Sequence, residues 1–164
     1  MRTIIAMAAL LCANFINAQA FNGKGDTKLQ IGATVQDGGT GIVATTDFGL
    51  ADNLSFGFSA SYMLSADDIL GQEADFGDRA DVKARLNANI GNIFGIGDQF
   101  DVYPGLDLGL RNFGGHLGFR YFFSDGFGLY TEGGIPIATY KSDPEGFDKY
   151  NNQFVWQIGV SFNF

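Results

Sequence analysis

Cysteine, basic residues and long apolar runs are all scarce in this sequence. The single cysteine, Cys12, lies in an apolar N-terminal stretch, so the rest of the chain can form no disulfide. Leu11 before it is not the small residue that a lipoprotein anchor needs. A protein exported without disulfides must be stabilised in another way, and a closed β-barrel does this by pairing every strand edge.

Basic residues are half as frequent as acidic residues after the N-terminal stretch. Residues 1–20 carry one charge, Arg2, so their removal leaves nine basic and eighteen acidic residues. This excess of negative charge argues against nucleic-acid binding and against attachment to anionic lipid by charge. No apolar run after residue 20 approaches about 20 residues, so no transmembrane helix is expected.

The N-terminus has the pattern of a secretory signal peptide. Arg2 precedes the mostly apolar segment 4–16, and Ala18-Gln19-Ala20 forms an A-x-A cleavage pattern. We therefore expect a cleaved signal at residues 1–20 and one mature domain at residues 21–164. Cleavage one or two residues earlier is the alternative.

Alternation of apolar and polar residues is abundant in the mature chain. It recurs near residues 28–35, 41–48, 54–62, 80–90, 106–110, 117–123, 127–137 and 153–164. A strand separates two such sets onto opposite faces, whereas a helix mixes them. Eight such segments, joined by short turns and two long acidic loops at residues 64–78 and 139–151, predict an all-β fold. We expect an eight-stranded antiparallel up-and-down transmembrane β-barrel.

The polar set indicates which face meets lipid. It consists mainly of Gly, Ser, Thr, Asn and Gln with charges of both signs, whereas the apolar set is large and aromatic. Facing Lys83 or Arg85 to lipid at mid-depth would cost roughly 2–4 kcal/mol each. We therefore predict diagonal pairs inside the lumen, Arg85 with Asp107 and Arg120 with Glu132. The full predicted lumen charge network is Asp47, Lys83, Arg85, Asp107, Arg120 and Glu132.

The C-terminus resembles the sorting signal of outer-membrane proteins, in which the last residue is aromatic and alternate preceding residues are hydrophobic. The matching residues are Trp156, Ile158, Val160, Phe162 and Phe164. This resemblance implies recognition by the barrel-assembly machinery.

By pattern over its mature length, the chain also resembles the small OmpA/OmpX-like barrels. That resemblance implies location in the cell outer membrane, contact with outer-membrane lipid and a monomer. Since the sequence ends with its eighth strand, the wall-binding domain of longer members is not expected.

Residues that could carry chemistry are few. His116 is the only histidine, and its neighbours Leu117 and Gly118 offer no nucleophile. The histidine-x-serine motif of lipid A deacylases is absent, so no catalysis is expected. No cofactor motif is present, and the loop carboxylates lack calcium-loop spacing. We expect a structural or surface-interaction role; the alternatives are a narrow small-solute pore, a lipid-modifying enzyme or a soluble lipocalin-like carrier.

Overall fold

The alternating segments pair into a closed β-barrel in the computed structural model, which describes residues 19–69, 71–95, 97–140 and 146–164. The antiparallel strands follow one another in chain order, and β8 pairs with β1 to close the ring. The eight strands are β1 (Thr27–Gln36), β2 (Gly39–Ala51), β3 (Leu54–Ala66), β4 (Ala80–Ala88), β5 (Phe100–Gly109), β6 (Asn112–Ser124), β7 (Phe127–Thr139) and β8 (Val155–Asn163). The predicted fold class is thereby confirmed. Of the predicted signal peptide, residues 1–18 lie outside the described residues.

The alternation recognised in β5 covers only the second half of the strand. It marks Leu106 to Leu110, although Pro104 is also expected within a strand, and β5 begins at Phe100 and ends at Gly109. Pro104 obscured the first half of this strand, because proline cannot donate to a ladder. It lies just beyond the ladder with β4, which ends at the Asn87–Gly105 pair, so no bond to β4 is lost there.

The two ends of the barrel differ in the length of their connections. At the terminal end, where the chain enters β1 and leaves β8, the connections are short except for residues 89–99, which contain a 3₁₀ turn, Gly91–Phe94. At the loop end, a one-turn helix, Phe76–Arg79, and a 3₁₀ turn, Phe147–Asn151, lie in the two long connections. No helix in the described part of the chain is long and apolar enough to cross a membrane.

The two faces of the barrel are inverted relative to those of a soluble protein. Among the described residues, eighteen buried residues are polar or charged and eight are hydrophobic. Outward-facing apolar residues are instead about half exposed, as for Ile31 at 48%, Phe58 at 48% and Ile158 at 56%. A soluble lipocalin-like carrier needs an apolar interior, so this polar lumen contradicts that alternative.

Aromatic side chains lie on the outward face toward both ends. Phe48 and Phe164 are exposed near the terminal end, and Phe154 and Trp156 are exposed toward the loop end. At the terminal end a run of ring contacts joins four side chains, with centroids 5.2–6.4 Å apart. These are Tyr121, Phe123, Phe127 and Phe162.

Candidate functional site

The candidate site is the lumen, where inward strand positions bring charged side chains together. Five of the six predicted residues are buried there, on β2, β4, β5, β6 and β7. The buried five are Asp47, Arg85, Asp107, Arg120 and Glu132. Lys83 lies nearer the loop end, with 26% of its side chain exposed and its Nζ 3.5 Å from Asp81. The predicted residues therefore share one interior, with Lys83 at its margin.

Arg85 is the central cation of the lumen. Its Nη2 atom donates to Glu132 at 2.6 Å, and its Nε atom lies 3.7 Å from Asp47. The side chain is 1% exposed, as is that of Asp47. Because buried charges are tolerated only when paired, Arg85 connects β4 by charge to β2 and β7, two strands with which it shares no backbone ladder.

Arg120 forms a second centre closer to the terminal end. Its Nη2 atom donates to Asp101 at 2.9 Å and also to Asn89, and its Nη1 atom lies 3.6 Å from Asp47. Its guanidinium carbon is 4.5 Å from the centroid of the Tyr103 ring, a cation–π contact. Asp47 therefore lies between the two arginines and joins both centres.

His116 extends the network toward the loop end. Its Nδ1 atom is 2.9 Å from Asp107, and its Nε2 atom is 2.8 Å from Arg85 Nη2 and 2.9 Å from Asn87 Oδ1. Arginine has only donors and the Asn87 Oδ1 atom only accepts, so Nε2 can hydrogen-bond one of these two partners in a given tautomer. In the Nδ1–H tautomer the ring donates to Asp107 and accepts from Arg85, so both of its nitrogens are engaged.

The ion pairs differ from those predicted. Arg85 and Asp107 are directly opposite across β4 and β5 rather than diagonal, and Asp107 bonds His116. Arg120 and Glu132 are diagonal as expected, but Arg120 pairs with Asp101 and Glu132 with Arg85. The predicted pairs join only neighbouring strands, whereas the narrow lumen lets long side chains reach across it.

Inward glycines make room for the large inward side chains. A Cβ on Gly118 would overlap the ring of Tyr103, and one on Gly105 would lie 2.5 Å from the His116 ring. An eight-stranded barrel has an interior just wide enough for side chains to fill, so each large residue needs a small one opposite. This explains why the polar parity of the sequence is rich in glycine.

The charge network is flanked by buried side chains toward the terminal end and by a small cavity toward the loop end. Toward the terminal end, Phe122 is fully buried and Lys28 bonds Asp26 at 2.7 Å. Toward the loop end, a polar cavity of about 60 Å³ remains, with Thr34, Ser59 and Asp81 among its lining residues. That volume holds a few water molecules, and the network residues Arg85, Asp107 and Glu132 also line it.

A cap closes the loop end; we define it as residues 67–69, 71–79 and 146–153. Tyr150 is its buried centre, packed with Met63 and Ala74. The Tyr150 hydroxyl donates to the Asp67 carbonyl at 2.5 Å, and Gln36 Nε2 donates to the Tyr150 carbonyl at 2.9 Å. Burial raises the pKa of Tyr150, and the nearby carboxylates of Asp67 and Asp68 add to that rise.

Several residues that line the lumen were not predicted from the sequence. Asp101 and Tyr103 have the same parity as Asp107. Extending the alternation of β5 back through Pro104 would have placed both of them in the lumen. Lys28 was recognised as polar but not as charged lumen lining, and Asp26 precedes its strand. Among the described residues, no three or more His, Cys, Asp or Glu side chains converge so as to hold a metal ion.

The residues of the predicted C-terminal signal lie on the outward face of the barrel or directly follow it. Trp156, Ile158, Val160 and Phe162 alternate along β8, opposite the β1 residues Val35, Ala33, Ile31 and Leu29. Phe164 follows the strand, and its N–H donates to the Thr27 carbonyl at 3.0 Å. The signal residues therefore form the seam at which the barrel closes.

Comparison with families of related sequences matches residues 11–164 to a family of unknown function, DUF6646. The chain belongs to this family. The match includes all eight strands and every lumen residue described above. This DUF6646 member has no significant match among curated proteins.

Solved structures share the fold of this DUF6646 chain. A de novo designed transmembrane β-barrel aligns with a TM-score of 0.57 at 9% identity, covering 87% of this chain and 98% of the design. The N-terminal β-barrel domain of Pseudomonas aeruginosa OprF aligns with a TM-score of 0.56 at 10% identity, covering 87% of this chain and 100% of the domain. At such low identity the likeness concerns the fold alone.

Proposed function

We propose that the protein is an integral outer-membrane β-barrel with a sealed lumen and a structural or surface-interaction role. The observation that carries this proposal is the inverted distribution of its faces. An outward apolar surface around a buried charge network fits lipid outside the barrel and no water-filled channel inside it. Known transmembrane barrels of the same fold support the assignment.

The proposed orientation follows from the two ends. Outer-membrane barrels have short turns on the periplasmic side and longer loops on the outer side. The terminal end would then face the periplasm, and the cap around Tyr150 would face the exterior. The acidic loops at residues 64–78 and 139–151 are the proposed contact surface for an extracellular partner. The C-terminal residues from Trp156 to Phe164 are the proposed signal for the barrel-assembly machinery.

Catalysis is not part of this proposal. His116 is the side chain that most often acts as a general base, but its nitrogens contact Asp107, Arg85 and Asn87. A base must reach the proton of a nucleophile, and the partners of this ring are already the charges of the lumen. The histidine is better explained as a member of the network.

Membrane fractionation and gel mobility test the proposal. We expect the protein in the outer-membrane fraction and a faster band in unheated than in boiled samples, because the closed barrel resists detergent until heated. Recovery in a soluble fraction without a mobility shift would overturn the proposal.

Planar-bilayer recording tests the alternative of a narrow pore. We expect no large steady conductance from the wild-type protein, since Arg85 and Arg120 are buried in the lumen and held there by their carboxylate partners. Steady conductance by the folded wild-type barrel would favour the pore.

A further inference from the structure

The segment before β1 crosses the mouth of the barrel at the terminal end. In a ring of eight strands β5 lies opposite β1, and β1 begins at Thr27. The Ala20 N–H nevertheless donates to the carbonyl of Asp98, directly before β5, at 2.7 Å. Residues 20–26 must therefore span the opening from one wall to the other.

This crossing segment is anchored at both ends. Beside β2, the Gly25 N–H donates to the Gly49 carbonyl at 2.9 Å and the Gly49 N–H donates to the Asp26 carbonyl at 2.7 Å. On the far side, Ala20 is 1% exposed and packs against Phe122, which is fully buried in the lumen.

Between these anchors, the Phe21 ring lies over the guanidinium group of Arg120, 5.9 Å from its centroid. Ala20 is thus packed as an interior residue of the barrel, and Phe21 is partly buried beside it.

That packing conflicts with the cleavage position that the A-x-A pattern predicts. Cleavage after Ala20 would remove the residue that bonds Asp98 and covers Phe122. Cleavage after Ala18 is the alternative, because Ala18 is also a small residue of the kind that signal peptidases need directly before the cut bond. Two residues before Ala18 stands Ile16, which is larger than the residue that the A-x-A pattern has there. The burial of Ala20 favours the upstream position.

We infer that the exported precursor is processed at the Ala18–Gln19 bond, so that Gln19 and Ala20 remain as the start of a plug across the barrel mouth. A signal peptidase hydrolyses this bond with one water molecule, leaving the carboxylate on Ala18 and a new amine on Gln19. The inference rests on the proposed function only in assuming that the chain is exported.

Intact-mass measurement of the protein purified from outer membranes tests the inference directly. We expect the mass of residues 19–164, or that mass less one ammonia, because an N-terminal glutamine cyclises readily. A product that is lighter by one Gln and one Ala, beginning at Phe21, would overturn the inference while leaving the outer-membrane function intact. Full-length precursor in a soluble fraction would instead overturn the proposed function and the export on which the inference rests.

Two reciprocal variants of the precursor give a second, independent readout. Leucine before the bond blocks signal peptidases, so A18L should accumulate unprocessed precursor, whereas A20L should be processed like the wild type. Accumulation of unprocessed A20L precursor would place the cut after Ala20, whereas A18L is the positive control for a blocked cut, because Ala18 belongs to both candidate patterns. Precursor accumulation is scored by gel shortly after synthesis, before the barrel folds, so a folding defect in A20L would not obscure the result.

Discussion

Arg85 shows how much of the lumen depends on one side chain. It neutralises Glu132 and Asp47 at a position where neither carboxylate can reach bulk water. Buried ion pairs contribute little net stability when intact, but removing one partner leaves an uncompensated charge. The same reasoning separates Arg85 from Lys83, two positions earlier on the same strand.

We expect R85M to destabilise the folded barrel by about 3–5 kcal/mol, because the buried carboxylate of Glu132 loses its arginine partner and Asp47 keeps only Arg120. The matched control K83M should lower the stability by less than about 1 kcal/mol. Lys83 is partly exposed, and its ion pair with Asp81 is long, at 3.5 Å. Urea unfolding in lipid vesicles measures both. Equal losses of stability in R85M and K83M would mean that burial of the ion pair does not determine the cost of removing it.

Gly118 illustrates the space that the lumen reserves for Tyr103. We expect G118V to overpack the interior and destabilise the barrel by about 1–3 kcal/mol, because its side chain would occupy the position of the Tyr103 ring. The double variant G118V/Y103A should lose less stability than the sum of the two single variants. Strict additivity, measured by the same unfolding assay, would show that the two sites do not contact each other.

At the scale of elements, each strand separates an apolar outward face from a polar interior. Ile158 lies near the middle of β8 and is 56% exposed, whereas Leu110 follows β5 at the loop end and is 78% exposed. The two side chains are similar in size and both point outward. Their depth in the proposed membrane is what distinguishes them.

We expect I158R to destabilise the barrel in vesicles by about 2–4 kcal/mol and L110R by about 0–1 kcal/mol, because the cost of a lipid-facing arginine falls toward the interface. Folding yield and urea midpoints in vesicles provide the measurement. If both arginines were tolerated equally, the outward face of β8 would not lie in lipid.

The cap is an element whose stability should depend on pH. Burial raises the pKa of Tyr150, so the folded cap retains the hydroxyl proton more strongly than the unfolded segment does. The stabilisation is present below about pH 10 and is lost as the pH rises through the raised value.

We therefore expect proteolysis of residues 67–79 to accelerate above about pH 10 in the wild type. Y150F lacks the ionisable hydroxyl, and its cap should be looser at neutral pH by about 1 kcal/mol but free of this alkaline rise. Mass spectrometry of the cleavage products measures both effects. An identical alkaline rise in Y150F would exclude Tyr150 as its cause.

At the scale of the whole molecule, the charges of this acidic protein fall into two populations. The lumen charges are buried, whereas those of the loops are solvated, as Asp68 and Asp75 are. Salt screens exposed charges strongly and buried pairs much less. The net charge therefore says little about what stabilises the barrel.

We accordingly expect the urea midpoint of the wild-type barrel to change little between about 0.1 and 1 M sodium chloride, because the lumen pairs are shielded from salt. Urea is used because it is uncharged. A large fall in the midpoint with added salt would indicate that exposed pairs, not the lumen network, provide the electrostatic stabilisation.

The sequence by itself determined the number of strands, their order and the face on which each residue lies. Period-two alternation is a local property, so Asp47, Arg85 and Glu132 could be assigned to the lumen without coordinates. Asp101 was missed because Pro104 interrupts the local pattern that would have extended β5. Short and long connections were likewise visible as runs of glycine and acidic residues.

Only the tertiary structure decided which lumen charges meet. Arg85 and Glu132 lie on β4 and β7, strands that share no ladder, and barrel closure brings them within 2.6 Å. Barrel closure also explains how the segment before β1 crosses the mouth, because closure brings the wall opposite β1 within reach of Ala20. Alternation specifies a face but not a distance across the barrel, because that distance depends on closing all eight strands into one narrow ring.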